Sequence, residues 1–198
     1  MLGKRLYKYL VTKKAENVVL SNKWSHIINI EVDNNTVFNH IDKTTIVNKL
    51  RSFQFKFVHR ILHFNDRLFK CKLVSTTLCD FCCQALDSID HRYFYCNTTQ
   101  EFWTQLTIWI QAEYNRVCNV NNIHNLITNM YNDMPLIETI MLNAKYYIYS
   151  CFLKKEKPNI NTFKHVVKEI EKTERYIANQ KNLLHVHDTK WSNMNLEP

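Results

Sequence analysis

Three cysteines and a histidine crowd into eighteen residues of this chain: Cys79-Asp80-Phe81-Cys82, then His91, then Cys96. The pattern is C-x2-C-x8-H-x4-C, and few other features limit a fold so strongly. Zinc prefers four nitrogen or sulfur ligands in a tetrahedron, and a Cys-x-x-Cys turn offers two sulfurs from one tight loop. The last two ligands, five positions apart, can close the site from a helical turn or its edge. Cys79, Cys82, His91 and Cys96 are therefore the expected zinc ligands. Four protein ligands leave no coordination position open, which marks a structural rather than a catalytic site. Cys83 in place of Cys82 would give C-x3-C-x7-H-x4-C over the same span; the two-residue spacer closes the tighter turn and favours Cys82.

The other cysteines, Cys71, Cys118 and Cys151, have no partner at ligand spacing and read as core or surface thiols. Seven cysteines make an odd number, which argues against a complete disulfide framework. His59 and His63 stand four apart, a spacing zinc can use, but without the glutamate of a metalloprotease motif they read as non-ligands. His185 and His187 read as solvent-facing. No stretch approaches the roughly 20 apolar residues of a membrane helix, and the first residues lack the apolar core of a secretory signal. An intracellular protein with reduced cysteines, in nucleus or cytoplasm, is the expectation, with no membrane partner.

The spacing of apolar residues predicts a mainly α protein: a helical domain with an irregular, zinc-stabilised Cys-Cys-His-Cys loop. A short strand pair near 28–38 or at the metal turn is compatible with it. One helix is expected over Val47–His63, with Lys49, Lys56 and Arg60 on one face and Phe53 beside them. Another carries Phe102, Trp103, Leu106, Trp109 and Ile110 on one side, capped by Asn97 or Thr98. A third repeats Leu136, Ile137, Ile140, Met141, Ala144 and Ile148 and stops before Pro158. A last helix runs from about Asn161 and buries residues as far as Ile177 and Leu184. Residues 27–38 alternate weakly through Ile28, Ile30 and Val32, as a short strand or an irregular connector. Residues 112–133 read as a loop containing a short helix, and those after Trp191 as a frayed tail.

The net charge of +8 points to a polyanionic partner. Seven Lys or Arg, namely Lys49, Arg51, Lys56, Arg60, Arg67, Lys70 and Lys72, face one acid, Asp66, within residues 49–72. They are the candidate nucleic-acid contacts, RNA and/or DNA, through phosphate. Phe53, Phe55, Tyr93 and Tyr95 are candidate stacking platforms for unpaired bases. Lys154, Lys155, Lys157 and Lys164 form a second, weaker basic region.

Taken in order, these features resemble the zinc-binding domain that follows the polymerase in reverse transcriptases of LINE-type (non-LTR) retrotransposons. Trp24, and Phe38 where that family usually has a second Trp, precede the basic segment Leu50–Leu62. The polar turn Asn65-Asp66-Arg67-Leu68 and Ser75-Thr76-Thr77-Leu78 lead into Cys79. Asp87-Ser88-Ile89-Asp90-His91, Cys96 and Phe102-Trp103 then fall in the family's places. Ala144-Lys145-Tyr146-Tyr147-Ile148-Tyr149, Glu174-Arg175-Tyr176-Ile177-Ala178 and Lys190-Trp191 extend the likeness toward the C-terminus. The resemblance implies a module that grips RNA or DNA beside a polymerase domain absent from this chain. It divides the sequence into a basic segment or remnant of a preceding domain (1–23), the zinc-binding domain (24–111), a helical extension (112–191) and a tail (192–198). Polymerase chemistry needs a pair of adjacent aspartates to hold magnesium, and the chain contains no Asp-Asp pair. No enzymatic activity is therefore expected. The rival readings are a zinc-scaffolded protein-interaction module docking through Trp103, Trp109, Tyr146 and Tyr149, or a non-functional retroelement remnant.

Overall fold

The computed structural model describes residues 23–28, 34–114, 122–131, 134–192 and 194. They form a mainly helical protein. In chain order come α1 (Asn34–Thr44), α2 (Asn48–Val58), α3 (Asn65–Lys70), a π-helical turn (His91–Tyr95) and α4 (Asn97–Tyr114). α5 (Ile123–Thr128), α6 (Pro135–Lys154), α7 (Ile160–Gln180) and α8 (Leu184–Trp191) follow. The strand pair reduces, among the described residues, to one antiparallel bridge between Leu78 and Leu86 at the metal turn. The alternation at 27–38 misled: Asn34–Thr44 is helix, while Ile30 and Val32 lie outside the described residues.

α6 is the central element. Pro135 at its first turn suits the fixed φ of proline. From Leu136 to Phe152 it buries Ile137, Ile140, Met141, Leu142, Ala144 and Ile148 with almost no exposure. α1, α2, α7 and α8 all pack on it. α2 contributes Leu50, Phe53, Phe57 and Val58, and α4 contributes Phe102, Trp103, Leu106, Trp109 and Ile110. One contiguous buried cluster runs from Trp24 to Met194 and takes in Cys79 and Cys96. The metal loop is thus built into the core rather than hung from it. Met194, expected in a frayed tail, is buried as well.

Helix ends depart from the expectations for a shared reason. The chain has one glycine, yet α2, α3, α6 and α7 each end in a left-handed residue, at Arg60, Lys72, Lys155 and Asn182 (φ 55–59°). Each carries the paired backbone bonds of a Schellman motif, for example Ile61 N–H to Lys56 O at 2.9 Å and Arg60 N–H to Phe57 O at 2.9 Å. The helix expected to reach His63 therefore stops at Val58, so Arg60, His59 and His63 do not share a helical face. The last expected helix is two, α7 and α8, and Leu184 is exposed rather than buried.

Buried polar groups cross-link the helices. The Nζ of Lys145, wholly buried, donates to Gln54 Oε1 (2.8 Å) and Leu126 O (2.9 Å). Gln54 Nε2 in turn donates to Ile127 O (2.7 Å), so α2, α5 and α6 meet at one amide and one amine. Burial holds the Lys145 amine well below the ordinary lysine range. Among the described residues no helix is long and apolar enough to cross a membrane.

Candidate metal centre

A hairpin presents the first two ligands. Asp87 N–H bonds Thr77 O (2.8 Å) and Cys79 N–H bonds Ala85 O (2.9 Å), flanking the Leu78–Leu86 bridge. Between them Cys83 N–H closes onto Cys79 O (2.7 Å), with Cys83 in the left-handed conformation. That turn aims the amides of Phe81 and Cys82 at the Cys79 sulfur. It also sends the Cys83 side chain outward, where it is exposed.

The other two ligands need an unusual helix. In an α-helix, residues five apart point about 140° away from each other. The turn His91–Tyr95 is instead π-helical, closed by Cys96 N–H to His91 O (2.7 Å), and this wider turn brings His91 and Cys96 to one side. Cys96 then stands at the N-terminus of α4, where its sulfur accepts from the backbone amides of Thr98 and Thr99. Cys96, a candidate ligand, thus caps that helix where Asn97 or Thr98 was expected.

The ligand atoms of Cys79, Cys82, His91 and Cys96 all lie within 4.8 Å of one another. Cys79 Sγ and Cys96 Sγ are 3.9 Å apart, and Cys82 Sγ lies 3.3 Å from His91 Nε2. A tetrahedron with zinc–sulfur bonds of about 2.3 Å has edges of about 3.8 Å, so the cage has the size zinc requires. Cys82 is in the group and Cys83 is not. The Cys79 and Cys96 sulfurs are within hydrogen-bonding distance of each other. The hydrogen bond with Cys79, with the Thr99 and Thr98 amides, holds the Cys96 thiol below its ordinary range against the effect of burial. The same hydrogen bond, with burial, pushes Cys79 up. Cys79 and Cys96 would hold a cation there as thiolates.

Sequence reading missed the groups that hold the cage. Asp87 and Arg92 form a fully buried ion pair, with Nε to Oδ1 at 2.8 Å and Nη2 to Oδ2 at 2.5 Å. The guanidinium lies over the Phe81 ring (3.9 Å) and beside the Phe64 and Phe152 rings (5.5 and 5.0 Å). Asp87 also accepts from the Asn65 amide (3.2 Å), while Asn65 Nδ2 donates to Leu78 O (2.8 Å), so α3 is bound to both arms of the hairpin. The one available signal was a lone arginine inside the aromatic run His91-Arg92-Tyr93-Phe94-Tyr95. Asp90, next to His91, takes Arg60 in a two-pronged bridge (2.5 and 2.6 Å) and His26 at 3.0 Å. Burial alone would raise Asp90; Arg60 and His26 hold it below the usual carboxylate range.

The basic candidates divide. Arg60 is committed to Asp90 and stacks on Trp24 (4.5 Å). Arg51 donates to Thr45 O (2.7 Å) and Asp42 O (2.9 Å). Lys49 is exposed with its Nζ over Tyr146 (4.6 Å), and Lys56, Lys70 and Lys72 are exposed. Arg67 is half-buried on α3. Among the aromatics, Phe53 and Tyr93 belong to the core, Tyr93 donating its hydroxyl to Lys145 O (3.0 Å). They cannot be stacking platforms. Phe55 and Tyr95 are exposed. Trp103 and Trp109, proposed to dock a partner, are buried. Of the lysines in the second region, Lys154, Lys155 and Lys157 are exposed, and Lys164 lies 5.6 Å from the centre of the Trp109 ring. His185 is exposed but His187 is buried beside Glu171 (3.3 Å). Cys71 is exposed, Cys151 buried, and Cys118 lies outside the described residues.

Residues 4–103 match the family described as zinc-binding in reverse transcriptase, and all four ligands fall inside the match. The chain belongs to that family. No curated protein and no solved structure matches it. Family membership and the donor set agree on the metal: three sulfurs and one imidazole at tetrahedral separations suit zinc. The hairpin, the π-helical turn and the head of α4 are what this zinc-binding domain uses to place them.

Proposed function

We propose that this chain is the nucleic-acid-gripping zinc module of a LINE-type reverse transcriptase, acting C-terminal to a polymerase domain and without polymerase activity of its own. The observation that carries this reading is the surface beside the metal hairpin. Phe69, Lys70, Lys72 and Leu73 stand exposed at the end of α3 and the turn after it. Asn65 and Asp87 tie that helix to the hairpin. Lys49 and Lys56 on α2 and Arg67 on α3 add charge in the same stretch of chain. Lysines there meet phosphate and release counterions, while Phe69 and Tyr95 offer faces to unpaired bases. Zinc contributes no chemistry to a substrate. Cys79, Cys82, His91 and Cys96 would hold it, and its binding energy fixes a loop too short to fold by burial alone.

The test is binding of the zinc-loaded protein to labelled single-stranded RNA, hairpin RNA and duplex DNA over a potassium chloride series. Each phosphate contact removed should lower the slope of log K against log salt by about 0.7–0.9. The triple variant Lys56→Ala, Lys70→Ala, Lys72→Ala should therefore lose about 2–3 from that slope. A folded, zinc-loaded protein that binds none of the three, or binds with no salt dependence, overturns the reading.

A further inference from the structure

A long groove lies away from the metal site. About 720 Å³ in volume, it runs between the α1–α2 connection, α6, α7 and α8. Its long wall is one face of α7: Thr162, Val166, Ile170, Thr173, Ile177 and Lys181 recur at steps of three and four. Nineteen helical steps make that wall about 29 Å long. α7 is strongly two-faced, yet among its 21 residues only Phe163 and Val167 are fully buried. Opposite this wall, Ile46 is 63% exposed, Val47 48% and Val186 54%. Val166, Ile170 and Ile177 on the wall are half-buried, and with the exposed Ile46, Val47 and Val186 they line the groove with apolar surface.

Charge narrows the occupant. Glu169 is paired with Lys172, and Glu174 with Lys190. Lys43 and Lys181, which also line the groove, have no ion pair among the described residues. The unmatched charge at the groove is therefore positive, at the end of α1 and the end of α7. A second copy of this chain would bring +8 against it. The groove lining holds no Phe, Tyr or Trp on which unpaired bases could stack, and a compact small molecule would cover only part of a 29 Å wall. We propose that the groove receives an amphipathic helix from a partner protein, its apolar stripe on α7 and its acidic flanks against Lys43 and Lys181. This interaction is separate from nucleic-acid binding: neither lysine lies in the basic stretch beside the metal.

The probe is a fluorescein-labelled peptide of about 18 residues, roughly 27 Å of helix, with leucines along one face and glutamates beside them. A second peptide carries lysines in place of the glutamates. The glutamate peptide should bind saturably and at least about tenfold more tightly, with amide shifts along α7 and α8. Lys43→Glu with Lys181→Glu should invert the preference. Both lysines are exposed, so circular dichroism and RNA binding of this variant should be unchanged. The proposal is overturned if neither peptide saturates, if both bind alike, or if charge reversal changes nothing. Dimerisation of the chain through α7, or a fatty acid that binds where the peptide does not, overturns it equally.

Discussion

Asp90 stands one residue before His91 and is already bonded by both Arg60 and His26. This junction, with Trp24 Nε1 donating to Val58 O (2.8 Å), ties residues 23–28 to the end of α2 and to the metal loop. Arg60 is thus a structural cation. Replacing it with alanine should cost about 2–3 kcal/mol in urea unfolding, because Asp90 loses two charge-assisted bonds in a half-buried place. RNA affinity should change less than with Lys70→Ala; the opposite ranking would return Arg60 to the phosphate-contact set. Lys145 gives a second residue-scale expectation. Its folded pKa lies well below the unfolded value of about 10.4, so between the two the unfolded chain binds the extra proton. Stability must then rise with pH through that window, by up to about 1.4 kcal/mol per unit. Lys145→Met should flatten the dependence measured from about pH 7 to about pH 9.5 relative to the parent chain. An unchanged slope would mean that Lys145 is charged in the folded state. The clustering of Cys79, Cys82, His91 and Cys96 was legible because cysteine and histidine at that spacing have few other uses. Arg92 and Lys145 were not, since a charge inside an apolar run reads as surface until a carboxylate or carbonyl is found far along the chain.

At the scale of elements, helix bodies were legible and helix ends were not. The apolar faces of α4 and α6 bury the residues their spacing selected, whereas at α2 Val47 and Ile61 are exposed and Phe53, expected beside the basic residues, is buried. The ends at Val58 and Gln180 carry no glycine or proline to announce them. Arg60 and Asn182 adopt the left-handed conformation instead, so the apolar period ran on into the next segment. A residue with a Cβ in that conformation costs roughly 1 kcal/mol relative to glycine. Lys155 is exposed, at φ 59°, and its backbone already makes both bonds of the motif. Lys155→Gly should raise stability by about 0.5–1 kcal/mol in equilibrium urea unfolding. A loss would show that the lysine side chain contributes more than its backbone strain removes. The π-helical turn was equally hidden. Spacing showed that His91 and Cys96 could share a site, but only the wider turn shows how, and its signal lies in the backbone.

For the molecule as a whole, the metal cage joins pieces that local sequence would leave separate. Cys79 and Cys82 come from a hairpin held by α3, His91 from a turn latched to α2 through Asp90 and Arg60, and Cys96 from the head of α4. Tyr93 and Phe94, between the last two ligands, are core residues. Order of motifs along the chain was enough to indicate the family, because ligands, basic segment and Phe-Trp helix keep their sequence. The groove along α7 was not legible, since the α1–α2 connection that faces α6, α7 and α8 lies far from them along the chain. The most direct measurement is zinc stoichiometry by native mass spectrometry, on the parent chain and on Cys79→Ser, Cys82→Ser, Cys83→Ser, His91→Ala and Cys96→Ser. One zinc per chain is expected for the parent and for Cys83→Ser, with loss of the metal to a competing chelator in the other four. A parent chain that takes no zinc, or a Cys82→Ser chain that keeps it while Cys83→Ser does not, would contradict the cage described here.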